Sequence, residues 1–247
     1  MRTTFLSAVL GLAAGCLAEP AAPPTGSFLE GVAGDYRHFY SPGNLGRLAA
    51  GLALAAPLAN TNADAAFNDW YQGKVRSAGT DGFAAAVKPI GNWKYATPIY
   101  ALITLVGRGR RQPGEARPLE EWGERCLRAI LVGGPASVGL QWLTGGSRPV
   151  EGSSRWNPFR DDNGLSGHAF VGAVPFLVAA RMTEHRGWKA LFLLGSFFCA
   201  FSRVNDEMHY LSQAGLGWWL AYLATGSVEE TDILQLLPGG VALTLRF

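Results

Sequence analysis

Two of the four histidines in this chain stand beside small polar or cationic residues, in a pattern that predicts phosphate chemistry. His168 follows Ser166-Gly167, His209 comes six residues after Arg203, and Arg148 opens an earlier Arg-Pro pair. An arginine presents a planar fork of N–H donors that matches two oxygens of one phosphoryl group. A histidine can attack phosphorus or move a proton, because its pKa lies close to neutrality. These residue types therefore predict phosphoryl transfer.

The three segments resemble the tripartite signature of the type 2 phosphatidic acid phosphatase (PAP2) superfamily, which also contains the vanadium-dependent haloperoxidases. That signature reads Lys, six residues, Arg-Pro; then Pro-Ser-Gly-His; then Ser-Arg, five residues, His, three residues, Asp. The matching segments here are Gln141 to Arg148-Pro149, Leu165 to His168, and Ser202-Arg203 to Gln213. Gln141, Leu165 and Gln213 stand where the family has Lys, Pro and Asp. The resemblance extends over residues 60 to 226.

This resemblance implies a role for each matched residue. His209 would be the nucleophile that forms a phosphohistidine intermediate, and His168 the general acid of the first step and the base of the second. Gln213, four residues after His209 on a predicted helix, would orient the imidazole ring with less electrostatic help than a carboxylate gives. The remaining matched residues would bind the phosphoryl group: Arg148, Arg203, Ser166, Gly167 and Gln141.

Two features around these residues bear on the charge of the site. Gln141 leaves the site one positive charge poorer than the family pattern, unless Arg155 or Arg160 supplies that charge from the following loop. Asp161-Asp162-Asn163 forms an incomplete ligand set, so we interpret it as a solvated loop and expect no metal. Ser166-Gly167 opens a predicted helix, whose unpaired N–H groups and positive dipole attract a phosphate.

The favoured function is a metal-independent acid phosphatase or lipid phosphate phosphatase, which hydrolyses a phosphomonoester or pyrophosphate, preferably of a lipid, without a cofactor. One alternative is a vanadium-dependent haloperoxidase, in which His209 would bind vanadate; Gln141 argues against the richer cationic site of that branch. A second alternative is a non-catalytic, membrane-associated member of the fold. The retention of both His168 and His209 argues against it.

Composition restricts the other partners. The net charge is +2 and charged residues make up 16% of the chain, so no basic surface indicates nucleic-acid binding. The expected partners are a phosphorylated lipid or small phosphoester and a membrane surface, and the sequence does not indicate an oligomeric state. Cys126 and Cys199 lie in apolar surroundings, where we expect buried thiols rather than a disulfide framework.

The N-terminus has the pattern of an export signal over residues 1 to 18. Arg2 precedes an apolar stretch from Phe5 to Leu12, which is too short to span a bilayer. Residues 13 to 16 also resemble a bacterial lipoprotein cleavage box that ends at Cys16, so simple cleavage and lipidation both stay open. Either alternative predicts an exported protein of the bacterial periplasm, soluble or membrane-associated.

Apolar residues recur with the helical period and predict an all-α fold, a helical bundle of the PAP2/haloperoxidase type. The predicted helices cover residues 44–59, 63–76, 80–90, 94–107, 118–143, 166–183, 187–202 and 208–225. Residues 19–45 are interpreted as an irregular arm, 46–226 as the phosphatase-like domain, and 227–247 as a C-terminal tail, in which 241–247 form a short strand or an extended segment packed on the bundle. The apolar runs are short, so a globular bundle that touches a membrane surface is favoured over membrane-spanning helices.

Overall fold

The computed structural model describes residues 28–109, 117–229, 234–237 and 240–243. Within these ranges the helices are α1 (Phe28–Phe39), α2 (Pro42–Asn60), α3 (Ala63–Lys74), α4 (Ala78–Val87), α5 (Trp93–Gly109), α6 (Pro118–Thr144), α7 (Gly167–Met182), α8 (Arg186–Gly195), α9 (Phe198–Asn205) and α10 (Leu211–Glu229). A 3₁₀ turn, Lys88–Gly91, connects α4 to α5. The all-α prediction is confirmed. The predicted export signal and Cys16 lie outside the described residues.

Helix α7 is the centre of the bundle, and α6, α8, α9 and α10 pack around it. Every residue of α7 from Ala169 to Ala180 is buried, and this stretch carries no charged side chain. A helix that is apolar on all sides must be surrounded by other helices. Burial contributes about 1.5–3 kcal/mol for each large apolar side chain. The burial of α7 on all sides therefore stabilises the folded bundle. The first turn of α7 contains His168.

Residues 28–39, which we expected to belong to an irregular arm, form helix α1 instead. Asp35 on α1 accepts hydrogen bonds from Nε and Nη2 of Arg128 on α6, both at 2.6 Å, and Phe39 is buried. Gly31 makes room for the guanidinium, because a Cβ there would lie 3.1 Å from Arg128 Cζ. These contacts with α6 offset the unfavourable helix propensity of glycine, which costs about 1 kcal/mol relative to alanine.

The single helix expected over 187–202 is divided into α8 and α9 by a break at Ser196-Phe197. Ser196 is fully buried, and its hydroxyl donates to the Leu193 carbonyl (2.6 Å) and accepts from Trp218 Nε1 (2.8 Å). A buried hydroxyl with both roles fulfilled stabilises the bend. After the bend α9 packs against α4 and α7, and Arg203 lies on α9.

The C-terminal boundaries also differ from the prediction. Helix α10 continues to Glu229, past the break expected at Thr225-Gly226, because Gly226 allows the Arg181 guanidinium to approach the helix closely. Strands β1 (Leu234–Leu237) and β2 (Gly240–Leu243) then pair antiparallel, with Leu234 opposite Leu243. The strand predicted over 241–247 thus begins one residue earlier, and its partner β1 was not predicted.

Helix α6 is long and apolar enough to cross a membrane, the one helix with these properties in the described part of the chain. Of its most apolar 18-residue window, 44% is buried inside the bundle. A core helix of a globular protein meets the same length and composition criteria, so this finding is compatible with both arrangements. The shorter α7 is apolar but has 16 residues.

Candidate functional site

The three sequence segments meet where α6 ends and where α7 and α10 begin. The backbone N–H of Ser166 donates to the Gln213 carbonyl (3.0 Å), which joins the second segment to the third. Gln213 Nε2 donates to the Ser147 carbonyl (2.9 Å), which joins the third segment to the first. Gly217 permits the close approach of α7 and α10, because a Cβ there would lie 2.3 Å from the Ser166 carbonyl oxygen.

The loop that carries Arg148 starts from a sharp turn at Gly145. Gly145 ends α6 with a φ of 60°, in the left-handed region that glycine adopts without steric cost. A Cβ at this position would also lie 2.0 Å from the Asn157 carbonyl oxygen, where the returning loop packs. The Ser147 N–H donates to the Ser153 carbonyl (2.9 Å), so the loop folds back next to Arg148.

Helix α9 is followed by a tight turn that places His209 against Arg203. The backbone N–H groups of Met208 and His209 both donate to the Arg203 carbonyl, at 2.9 and 3.2 Å. Glu207 within this turn has a φ of 54°, an uncommon conformation for a residue other than glycine. Such backbone strain persists only where the surrounding structure imposes it. Here it brings the nucleophile candidate next to the phosphate-binding candidate.

The orientation of the Gln213 side chain decides which nitrogen of His209 carries the proton. Gln213 Oε1 accepts from the Tyr210 backbone N–H (3.0 Å), while Nε2 donates to a backbone carbonyl, so the amide cannot be reversed. The same Oε1 lies 3.2 Å from His209 Nδ1, which must therefore be the protonated nitrogen. The lone pair of His209 then resides on Nε2, the atom that can attack phosphorus.

His209 is kept neutral by its surroundings. It is 8% exposed, and burial lowers its pKa to about 3. The hydrogen bond with Gln213 acts in the opposite direction, while the positive charges of Arg203 and Arg148 lower the pKa further. An imidazole that attacks phosphorus must carry no extra proton. With this low pKa, His209 is neutral, and so able to attack, at neutral and at mildly acidic pH.

Arg203 is a buried cation with unfilled donors. Its side chain is almost fully buried, and Nε and Nη1 have no hydrogen-bond partner among the described residues. The nearest carboxylate oxygen, Asp206 Oδ2, is 3.9 Å from Nη1. Burial lowers the pKa of Arg203 from its usual value. A buried guanidinium with free N–H groups is costly unless an anion completes its hydrogen bonds, so Arg203 is suited to bind phosphoryl oxygens.

Arg148 is held from the side by a residue of the following loop. Its Nε donates to Asn163 Oδ1 (2.9 Å), and Nη1 lies 3.5 Å from Glu151 Oε1. Asn163 is buried and in turn donates from Nδ2 to Asp161 Oδ1 (2.7 Å). The segment that we interpreted as a solvated loop therefore contains a buried support for Arg148, and that interpretation was wrong for Asn163.

The start of α7 supplies further groups. Ser166 is the N-cap, and its Oγ accepts from the Ala169 N–H (3.2 Å), which leaves the hydroxyl proton for another acceptor. Gln141 reaches this helix end, because a Cβ on Gly167 would lie 3.1 Å from Gln141 Nε2. The structure thus places Gln141 beside the N-terminal N–H groups of α7, where an amide can donate to an anion but adds no charge.

His168 is partly buried at the same helix end, in a strongly positive environment. Burial lowers its pKa to about 4, and Arg203, Lys88 and Arg148 lower it in that order. A general acid must be protonated, whereas His168 is neutral at pH 7 in the absence of an anion. A bound phosphoryl group would offset the three positive charges and favour protonation of the ring.

The charge that Gln141 lacks is not replaced in the way we expected. Arg155 and Arg160 are both exposed on the loop, and neither is among the cations that act on His168 or His209. Lys88 on the 3₁₀ turn acts on His168 instead. Sequence reasoning did not identify Lys88, because no spacing relates it to the three segments.

Asp64 is a second support that sequence reasoning missed. Its carboxylate is buried and accepts from the backbone N–H of Ser212 (3.0 Å) and from the Ser212 hydroxyl. A carboxylate at this position compensates the positive end of α10 and satisfies an unpaired N–H of its first turn. Asp64 thereby fixes the helix start beside His209 and Gln213. A separation of 148 positions gives no local signal for this contact.

Among the described residues, no group of three or more His, Cys, Asp or Glu side chains could hold a metal ion. Cys126 and Cys199 are both buried and form no disulfide, as predicted. Cys199 Sγ donates to the Val87 carbonyl (3.3 Å), and burial raises its pKa to about 12. An uncharged thiol of this kind is a packing group rather than a nucleophile.

Comparison with known proteins gives one family match. Residues 127–228 match the model of the PAP2 superfamily. The matched range includes all three segments, the whole of α7 and most of α6 and α10, the helices that position them. No curated protein and no solved structure shows significant similarity to the chain.

Proposed function

Because residues 127–228 match the model of the PAP2 superfamily, we propose that the chain is a metal-independent phosphatase that acts through a phosphohistidine at His209. The observation that carries the proposal is the buried guanidinium of Arg203, whose Nε and Nη1 lack partners in the described part of the chain and lie beside a neutral imidazole. A phosphoryl group bound there would complete the hydrogen bonds of Arg203 and present phosphorus to His209. The substrate is a phosphomonoester or a pyrophosphate.

In the first step, His209 Nε2 donates its lone pair to phosphorus, and the bond from phosphorus to the leaving oxygen breaks. The leaving oxygen takes a proton from His168, which becomes neutral. Arg203 and Arg148 bind the phosphoryl oxygens throughout, where a fixed charge stabilises the transition state. Gln213 Oε1 holds the Nδ1 proton of His209 and thereby keeps the ring oriented while it gains charge.

In the second step, neutral His168 takes a proton from a water molecule as the water oxygen attacks phosphorus. The bond from phosphorus to His209 Nε2 breaks, the lone pair returns to the ring, and inorganic phosphate leaves. His168 is protonated while the phosphate is bound and becomes neutral again after the phosphate leaves, because its pKa is about 4. No metal ion is required, because the two arginines and the N–H groups at the start of α7 supply the positive field.

A lipid is the substrate class that the surface around the site favours. No charged residue occurs between Arg128 and Arg148, and on α6 the side chains of Leu131, Val138 and Trp142 are exposed at helical spacing. Phe159, 70% exposed, adjoins the end of this stripe, because its N–H donates to the Trp142 carbonyl (2.8 Å). This apolar surface ends at the loop that carries Arg148, as expected of an enzyme that takes its phosphate from a membrane surface.

The proposal is tested by hydrolysis assays of the purified protein on phosphatidic acid vesicles, an isoprenyl pyrophosphate and a soluble aryl phosphate, all with a chelator present. We expect turnover of at least one substrate and a loss of about 10²–10³-fold in kcat/KM for Arg203→Met. Arg160→Met, which removes an exposed arginine of the same loop region, is the matched control and should retain activity. Absence of turnover on every phosphate would contradict the proposal.

A further inference from the structure

Lys88 lies at the edge of the site, on a turn that packs tightly against the helices of the site. The 3₁₀ turn Lys88–Gly91 packs against α7 and α9, the helices that carry His168 and Arg203. Gly91 approaches so closely that a Cβ there would lie 2.4 Å from the His168 carbonyl oxygen. The backbone of Lys88 is therefore held close to both residues, while its side chain is exposed.

The ammonium group of Lys88 shares a carboxylate with Arg203. Lys88 Nζ donates to Asp206 Oδ2 at 3.1 Å, and the same oxygen is 3.9 Å from Arg203 Nη1. The first distance is a charge-assisted hydrogen bond, whereas the second is too long for one. Asp206 is therefore engaged by Lys88 rather than by the guanidinium, although the guanidinium has unfilled donors.

The other oxygen of Asp206 does not alter this competition. Asn205 Nδ2 lies 3.4 Å from Asp206 Oδ1 and makes a shorter bond to Asp81 Oδ1 (2.8 Å). A neutral amide holds a carboxylate less strongly than an ammonium group does. If Lys88 were removed, Arg203 would be the described cation nearest to Asp206, since Arg76 acts on it from farther away, and the carboxylate would move the last fraction of an ångström toward Arg203. The donors that an anion needs would then be occupied.

We propose that Lys88 is a positioning residue that keeps Asp206 away from Arg203, so that the guanidinium stays available to the oxygens of a phosphoryl group. The inference rests on the proposed function of the same site. Lys88 also contributes positive charge near His168.

The test compares four variants by two measurements, the binding of inorganic phosphate by titration calorimetry and the KM and kcat for an aryl phosphate. Lys88→Met should weaken phosphate binding about tenfold and raise KM more than it lowers kcat. Lys88→Arg, which can hold Asp206 in the same way, should stay within about threefold of the original protein. Lys94→Met, a change of an exposed lysine on α5, is the matched control and should have no effect.

The fourth variant separates the proposed role from a merely structural role of Lys88. In Lys88→Met/Asp206→Asn no carboxylate is present to accept from the N–H groups of Arg203. The affinity for phosphate should therefore recover most of the tenfold loss. A merely structural role of Lys88 would leave the double variant as weak as Lys88→Met, and that result would overturn the inference. If the original protein binds phosphate and Lys88→Met binds it equally well, the inference fails while the proposed function stands. If the original protein neither binds nor hydrolyses phosphate, both fail.

Discussion

Gln213 connects His209 to the loop that carries Arg148. Its Oε1 accepts from His209 Nδ1 at 3.2 Å, and its Nε2 donates to the Ser147 carbonyl at 2.9 Å. The family pattern has Asp at this position, which is shorter and cannot donate to a carbonyl. Gln213 is thus adapted to this loop, and a carboxylate at the same position changes both contacts.

Gln213→Glu therefore has two opposing effects. A carboxylate beside Nδ1–H raises the pKa of His209, so the acid limb of the kcat/KM profile should move to higher pH. The carboxylate also faces the Ser147 carbonyl, which loses its donor, so the free energy of unfolding should fall by about 1–3 kcal/mol. Gln72→Glu on α3, which likewise removes an amide donor from a carbonyl, that of Val204, but makes no contact with His209, serves as the control for added negative charge. An acid limb that does not move would show that Gln213 does not act on His209.

The pH dependence of turnover follows from the two histidines. His168 has a pKa of about 4, so at neutral pH its proton must arrive with a monoanionic phosphate group. Phosphate esters lose that proton near pH 6, so kcat/KM for an aryl phosphate should fall above about pH 6. It should also fall below about pH 3, as His209 becomes protonated. A profile that keeps rising from pH 6 to pH 8 would contradict the assignment of the acid.

The low pKa of His209 also predicts a loss of stability in acid. The group has a pKa of about 3 in the folded state and an ordinary value near 6.5 when unfolded, so its contribution is fully present above pH 6.5 and is lost as the pH falls. Between pH 8 and pH 5 this loss is about 2 kcal/mol. The variant His209→Asn retains a donor toward Gln213 but has no titrating ring. In urea unfolding, its free energy of unfolding should fall less between pH 8 and pH 5 than that of the original protein. An identical acid effect in both proteins would rule out the burial argument.

Gly145 allows a prediction about the Arg148 loop. Gly145→Ala introduces a side chain at a φ of 60° and 2.0 Å from the Asn157 carbonyl, so the loop must shift. We expect a loss of several kcal/mol in the free energy of unfolding together with a lower affinity for inorganic phosphate. Gly139→Ala on α6 is the control, because no atom lies within 4 Å of its Cβ, and it should stabilise the helix by up to about 1 kcal/mol. Equal stabilities of the two variants would contradict the role of Gly145.

The apolar surface near the site predicts a difference between soluble and lipid substrates. Trp142→Ser should lower the rate on phosphatidic acid vesicles and their co-sedimentation with the protein, while the rate on an aryl phosphate stays unchanged. Trp70→Ser removes an equally exposed tryptophan on α3 and should change neither. Equal rates of both variants on vesicles would contradict membrane contact through α6.

Local spacing in the sequence predicted the residues that lie close to one another along a single turn or helix start. Ser166-Gly167-His168 and the pair His209 and Gln213 are of this kind, and the structure brings them together as the spacing implied. The break at Ser196 was not predictable, because it depends on Trp218 from another helix. The same holds for the contact of Lys88 with Asp206, which are 118 positions apart.

The central claim, a covalent phosphohistidine at His209, is tested most directly by rapid acid-free quenching with a ³²P-labelled substrate, followed by peptide mapping. The account predicts a label that is stable to base and labile to acid, located on the peptide that contains His209 and absent from His209→Asn. His185→Asn, which alters an exposed histidine, should keep the label. Turnover without any such label, or a label that persists in His209→Asn, would contradict the account.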